Sequence, residues 1–298
     1  MCTVMTVDHE HLLGRTMDFP PRTPWHLTYL PQGYQWRAAN MLTTYCNQRA
    51  LLGGMRVYDG HYLVGDGFND AGLAVAELFF PVEADYPTTV RSGTNGLTPQ
   101  DFIMWALGNH ATVSELAADL DRVTVIDALW YDHQRYPFHW LVMDKTGTYV
   151  IEPLVEHLHV RPNPLAVFTN TPSLDEQLEK LATYLGQSST ASVSQLMSAA
   201  ASTCKPLPTG GNSVQRFIKA AICRWKKVPQ SVVELRNFLQ SVTVPNSPAH
   251  SHNYTHYQAV IDLANLRYDF YDLHSGMIVS HDLPRLMREY PRTPRRFE

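Results

Sequence analysis

Residues 1–19 impose the first constraint on the fold, because they read as two short strands folded back across a polar turn. Met1 to Val7 is rich in Thr and Val, Asp8-His9-Glu10-His11 is polar, and Leu12 to Phe19 returns as a second strand. Folding this hairpin about His9 and Glu10 sets Cys2 opposite Thr16 and Met17 and makes Arg15 and Asp18 neighbours of the thiol. Side chains of a regular strand alternate between faces, so Arg15 and Asp18 cannot both face Cys2. A bulge, or an early strand end at Pro20-Pro21, is expected to reconcile them.

Cys2 follows the initiator methionine, and a small residue there permits removal of Met1. The exposed residue then carries a thiol and a free α-amine together. An amine that titrates near ~7.7–8.0 can relay the proton of a thiol that titrates near ~8.5, and the thiolate can attack a carbonyl. A guanidinium beside it favours the thiolate and, by like-charge repulsion, the neutral amine, while a carboxylate can hold the ammonium and the arginine in place.

Hairpins alternate with well-marked helices along the rest of the chain. Thr98-Pro99-Gln100-Asp101 provides a cap, a first-turn proline and an acidic third position before Phe102 to Leu107, and Thr112 with Glu115, and Ser231 with Glu234, repeat the capping pattern. Ser173 and Glu176 are expected to form a box at the head of a helix whose Leu174, Leu178, Leu181 and Leu185 share a face and which Gly186 stops. Val193 to Ser202 reads as a helix, the Pro206 to Gly211 stretch as a loop, and Ser213 as the cap of a further helix. There Arg216 opposes the helix dipole at a cost of up to ~1 kcal/mol, which hints at a task other than helix stability. His139 to Met143 with Thr148 to Glu152, and Tyr257 to Asp262 with Arg267 to Leu273, read as hairpins. Hairpin-linked sheets with helices between them indicate a layered α+β protein, and the length of 298 residues suits one domain.

With 44% hydrophobic and 17% charged residues the chain can bury a large core, and a net charge of −4 gives no electrostatic case for nucleic acid. The arginines from Arg285 to Arg296 read as a solvated basic tail. Cys2, Cys46, Cys204 and Cys223 lack metal or redox spacing and are too few for a disulfide scaffold, so a reducing cytoplasm is expected. The histidines match no usual ligand spacing, so no metal is expected. No apolar run reaches membrane-spanning length, and Asp8, His9 and Glu10 interrupt any signal-peptide core.

Several motifs occur in a shared order: Met1-Cys2-Thr3, Gly14-Arg15-Thr16-Met17-Asp18-Phe19, Asn69-Asp70-Ala71-Gly72-Leu73, Phe168-Thr169-Asn170-Thr171-Pro172 and Ser213-Val214-Gln215-Arg216-Phe217. Together they resemble the choloylglycine hydrolase family of N-terminal nucleophile hydrolases, which contains conjugated bile acid hydrolases and penicillin V acylases. The resemblance implies a four-layer αββα sandwich of two antiparallel sheets between helical layers, with no cofactor. It implies Cys2 as nucleophile with its own α-amine as proton relay, Arg15 and Asp18 as tuning groups, Asn69 as a supporting residue, Asn170 and the backbone N–H of Phe79 as oxyanion donors, and Arg216 as the last member of the polar ring. It allows a homo-oligomer, dimer or tetramer. Relatives carry a longer assembly loop near residues 187–213, and the shorter form here puts the tetramer in doubt.

Apolar and aromatic residues near these motifs form a candidate acyl-binding wall: Phe19, Pro20, Trp25, Met55, Tyr58, Phe79, Phe80, Leu129, Trp130 and Tyr131. Bile acid hydrolases usually show Asn at the position of Phe79 and penicillin V acylases Tyr. The aromatic residue leans the reading toward an aryl- or fatty-acyl amide of the penicillin V or acyl-homoserine-lactone sort, with bile salts as the alternative and an inactive acyl-ligand-binding relative as a further one. Glu77 departs from both patterns, as a carboxylate that repels taurine or glycine conjugates or points to solvent.

Overall fold

The computed structural model describes residues 2–298 except 21, 23, 40, 42 and 156. Met1 and Pro21, which entered the reading of the first hairpin, lie outside the described residues. In chain order the strands are β1 (Thr3–Val7), β2 (Leu12–Phe19), β3 (Trp25–Leu30), β4 (Gln35–Arg37), β5 (Thr44–Cys46), β6 (Leu51–Tyr58), β7 (His61–Asn69), β8 (Ala74–Phe79), β9 (Asn95–Leu97), β10 (Val123–Val125), β11 (Phe138–Asp144), β12 (Gly147–Ile151), β13 (Val160–Pro162), β14 (Val167–Thr169), β15 (Tyr254–Asp262), β16 (Arg267–Asp272), β17 (Ile278–Asp282) and β18 (Arg295–Phe297). The helices are α1 (Phe102–Asn109), α2 (Val113–Asp119), α3 (Leu174–Leu185), α4 (Val193–Ser202), α5 (Ser213–Lys226), α6 (Val232–Gln240) and α7 (Leu283–Glu289).

Every residue of β1 and β2 is buried. That follows from their place inside a six-stranded sheet, ordered β14-β1-β2-β15-β16-β17, with a second sheet on one side and helices on the other. The second sheet has eight strands, ordered β13-β12-β11-β8-β7-β6-β3-β18, and the pairings within both sheets are antiparallel. Helices α5 and α6 pack on the first sheet, with α3 and α4 against α5, while α1 packs on β7 and β8 of the second. The architecture is α+β, with four layers in the order αββα. Among the described residues no helix is long and apolar enough to cross a membrane.

The sheets approach closely where β6 and β7 carry glycines. A Cβ on Gly54 would collide with the Tyr257 hydroxyl, so the missing side chain lets that hydroxyl reach between the sheets. On the outer side, α5 buries Phe217, Ile218, Ala220, Ala221 and Ile222. Each large apolar side chain there contributes roughly 1.5–3 kcal/mol, which fixes the axis of the helix that carries Arg216.

Two helix starts differ from the sequence reading. Ser173 makes no side-chain cap; instead its N–H donates to Glu83 Oε1 at 2.8 Å and Leu174 N donates to Glu152 Oε1 at 2.9 Å. Carboxylates from the segments that follow β8 and β12 satisfy the first-turn donors of α3, so Glu176 is not needed there. The cap of α5 is Asn212, whose side chain accepts from Gln215 N, while Ser213 begins the helix and its hydroxyl donates to Asn170 O at 2.7 Å. The Gly186 stop stands, in the left-handed conformation at φ 75°.

Candidate active site

Thr3 pairs with Thr16 and Val4 with Arg15, so the hairpin register brings Cys2 against Met17 as the sequence implied. The alternation problem is solved without an early end to β2, which runs to Phe19. Arg15 and Asp18 stay on opposite faces of the strand, and each finds a partner in a different layer. Arg15 turns to the second sheet, where Nη1 donates to Gly65 O at 2.5 Å and lies 3.2 Å from Asp66 Oδ2. Asp18 turns to the helices, where it takes a 2.6 Å ion pair from Arg216 Nη1 and a 2.5 Å hydrogen bond from the Thr255 hydroxyl. What Asp18 offers Cys2 is its carbonyl oxygen, 3.7 Å from Sγ. The bulge expected to bring both side chains to one face is absent from the β1–β2 register; a register shift lies instead on the partner strand β15, between Thr255 and Tyr257.

Arg15, Asp66 and Arg216 are all at least 98% buried, and Cys2 is 4% exposed. Burial works against the Arg15 charge, but Cys2, Asp66 and Tyr257 outweigh it and hold the guanidinium above its ordinary value. Asp66 accepts from the Tyr257 hydroxyl at 2.5 Å and from the Tyr268 hydroxyl. Burial raises its carboxyl above the usual range, opposed by Arg15 and these donors. Glu77 neither faces solvent nor finds a donor: it is 1% exposed, both its oxygens lack partners, and burial pushes it well above the usual carboxylate range despite Arg15 and Arg56. Of the two carboxyls that act on Arg15, Asp66 is the one with hydrogen-bond donors on both oxygens.

Asn170 ends the segment after β14, which lies beside β1. Its backbone carbonyl is fixed by Gln177 Nε2 and by the Ser213 hydroxyl, each at 2.7 Å. Its side-chain Oδ1 accepts from Cys2 N at 2.5 Å, and its buried Nδ2 has no hydrogen-bond partner among the described residues. Such an orphan donor costs about 1–3 kcal/mol and is retained where something else will use it. Phe79, the other expected donor, lies beside the Asn170 turn. Phe80 N bonds to Pro137 O at 2.8 Å, and paired and unpaired positions alternate along an antiparallel ladder, so the Phe79 N–H and C=O point away from β11. That C=O accepts from Thr171 N at 3.2 Å. Arg216 Nη2 closes the ring at 3.4 Å from Cys2 O.

Asn69 stands apart from this constellation. Its Nδ2 donates to Leu107 O and His110 O, and its Oδ1 accepts from Ala71 N and Leu73 N, so it clamps the β7–β8 turn to α1. Of the expected acyl wall, Met55, Phe80 and Trp130 are core residues: Met55 is fully buried, Phe80 stacks on His139, and Trp130 Nε1 donates to Asp101. Phe19 packs on Trp25 and on Tyr136, each with ring centroids 5.4 Å apart, and Tyr136 stacks on Phe138, which meets the exposed Phe79. Tyr58 and Leu129 are also exposed, Pro20 is half-buried and Tyr131 stacks on His61. The sequence reading missed Arg56, which ion-pairs with Asp132 and lies over the Phe19, Trp130 and Tyr136 rings. It also missed Asp66, Tyr257 and Tyr268, because an isolated Asp and two strand tyrosines carry no local motif.

The arrangement is a thiol between two buried ion pairs, facing an amide with a donor to spare. Residues 2–285 match the model of the family described as linear amide C–N hydrolases, choloylglycine hydrolase family. The chain belongs to that family. Sequence relatives of this choloylglycine hydrolase family member include proteins named bile salt hydrolase/transferase, from Clostridium perfringens at 29% identity over 62% of this chain and 58% of the relative, and from Lactiplantibacillus plantarum at 30% identity over 62% of this chain and 57% of the relative. The chain thus spans less than two thirds of the length of these relatives. Among solved structures, a variant of conjugated bile acid hydrolase from Clostridium perfringens superposes with a TM-score of 0.83 at 21% identity, covering 100% of this chain and 97% of the other. Penicillin V acylase from Agrobacterium tumefaciens superposes at 0.75 and 19% identity, covering 99% and 90%. At such identities the likeness is one of fold.

Proposed function

We propose that the protein, once Met1 is removed, hydrolyses linear N-acyl amides of the penicillin V or acyl-homoserine-lactone kind through Cys2, the whole chain acting as one N-terminal nucleophile hydrolase domain. The observation that carries this reading is the Cys2–Asn170 pair, in which Oδ1 holds the Cys2 nitrogen while Nδ2 is left free for an oxyanion. In the reaction the α-amine takes the thiol proton and the thiolate adds to the amide carbonyl. Asn170 Nδ2 and the Phe79 N–H receive the negative oxygen, and the ammonium returns its proton to the leaving amine as the C–N bond breaks. Water then hydrolyses the thioester, releasing the acid and restoring the thiol. Arg15 stabilises the thiolate, and Arg216 with Asp18 fixes the carbonyl of Cys2. The substrate is a small molecule, and the four cysteines, all free, suit a reducing cytoplasm.

Exposed Phe79, at the end of a buried aromatic run through Phe138, Tyr136, Phe19 and Trp25, supports an aryl or long-chain acyl group. Conjugated bile salts are the second reading, favoured by the names of the sequence relatives. Penicillin V, a long-chain acyl-homoserine lactone and a glycine-conjugated bile salt, assayed side by side, rank these readings by kcat/KM. Cys2→Ala should abolish turnover of whichever is cleaved, and binding without cleavage of all three would make the protein an inactive relative.

A further inference from the structure

Arg15 is fully buried, three positions before Asp18, yet that carboxylate is turned to the other face of β2 and committed to Arg216. A guanidinium in such a place needs a fixed counter-charge, or its orientation is lost. The counter-charge is Asp66 on β7, itself fully buried and 3.2 Å from Nη1. Both Asp66 oxygens are held from the opposite sheet, Oδ2 by the Tyr257 hydroxyl at 2.5 Å and Oδ1 by the Tyr268 hydroxyl. The absence of a Cβ at Gly54 admits Tyr257 to this position. The remaining nearby carboxyl, Glu77, has no donor on either oxygen and cannot take the same part.

We propose that Asp66, clamped by Tyr257 and Tyr268, is the positioning residue that sets the Arg15 guanidinium beside the Cys2 thiol. The proposal rests on Cys2 being the nucleophile and extends it across the gap between the sheets: fully buried residues on β15, β16 and β7 determine how much thiolate the site holds. Asp66 is held at both oxygens and Arg15 at both Gly65 O and Asp66, so the guanidinium has one place to go. A purely structural ion pair would contribute stability without reference to the thiol.

The test is the rate of Cys2 alkylation by iodoacetamide across pH, with the modified residue assigned by peptide mass spectrometry against Cys46, Cys204 and Cys223. Asp66→Asn keeps the shape and removes the charge. It should move the midpoint of the profile to higher pH, by less than the about 1–3 units that outright loss of a neighbouring cation gives, because Arg15 keeps its Gly65 contact. Tyr257→Phe and Tyr268→Phe, which leave the ion pair but loosen Asp66, should each move it up by a smaller amount, and they decide the matter if Asp66→Asn does not fold. Unmoved profiles in folded variants would overturn the proposal, as would a downward shift, which would make Asp66 a mere counter-charge to Arg15. Alkylation needs no acyl amide. Failure to cleave any amide would therefore sink the proposed function and leave this inference standing, whereas unmoved profiles in an enzyme that does cleave would sink this inference alone.

Discussion

Replacing Asn170 by Ala separates chemistry from stability more cleanly than other changes at the site. The backbone of Asn170 is held by Gln177 and Ser213 through its carbonyl, so truncating the side chain leaves the turn anchored. What is lost is one accepted hydrogen bond from Cys2 N and a donor that the resting protein does not use. Truncation strands the buried Cys2 nitrogen, at about 1–3 kcal/mol, but removes an unsatisfied donor of similar cost, so the net stability change should stay within about 1.5 kcal/mol, read from urea unfolding. The loss in transition-state stabilisation should be about 3–4 kcal/mol, or about 10²–10³ in kcat, as for other preorganised oxyanion donors. Initial rates on the best acyl amide give kcat, and Cys2 alkylation in the same variant checks that the thiol is intact. A decrease in kcat below about tenfold, with stability and alkylation preserved, would refute Asn170 as an oxyanion donor.

Three further outcomes follow from the same geometry. Arg216→Met removes the cationic partner of the buried Asp18 carboxylate, which keeps its Thr255 hydrogen bond, and loss of one partner of such a pair should cost about 3–5 kcal/mol in urea unfolding; a loss below about 1 kcal/mol would mean the pair is effectively solvated. Glu83→Ala removes the acceptor of Ser173 N and of the Thr171 hydroxyl and should lower stability by about 1 kcal/mol, whereas Ser173→Ala should do little. Glu77 has a folded-state pKa raised by burial, so it binds a proton more tightly in the native state than in the unfolded one. Its contribution is complete below the ordinary carboxylate range and is lost as pH rises through the elevated value. Glu77→Gln should therefore flatten the decline in melting temperature on the alkaline side, and an unchanged slope would count against a protonated Glu77.

The elements most legible in the sequence were those whose stabilising partners are local. The first hairpin, the helix Val193–Ser202 and the Gly186 stop depend on alternation, periodicity and backbone freedom within a few residues, and the structure has them at the positions the sequence implied. The heads of α3 and α5 were read less well because distant groups override local ones: Glu83 and Glu152 reach Ser173 and Leu174 from another element, and Ser213 serves Asn170 rather than its own helix. The site divides in the same way. Cys2, Arg15, Asp18, Asn170 and Arg216 sit in recognisable motifs and do come together, whereas Asn69 sits in an equally recognisable one and clamps a turn. Asp66, Arg56 and the two tyrosines were invisible because their significance lies in what approaches across the gap between sheets.

The strand bearing the thiol lies between a neighbour only a hairpin away and another, β14, that pairs Thr3 with Thr169. During synthesis β1 and β2 can associate early, but the second flank of β1 stays vacant until more than half of the polypeptide has emerged. Closing so long a loop is entropically expensive and slow. In that interval a nascent chain exposes an unpaired strand margin next to an unshielded sulfur, a state open to oxidation and to mispairing with other chains. Arrival of β14 seals the margin and brings Asn170 to the Cys2 nitrogen in the same event.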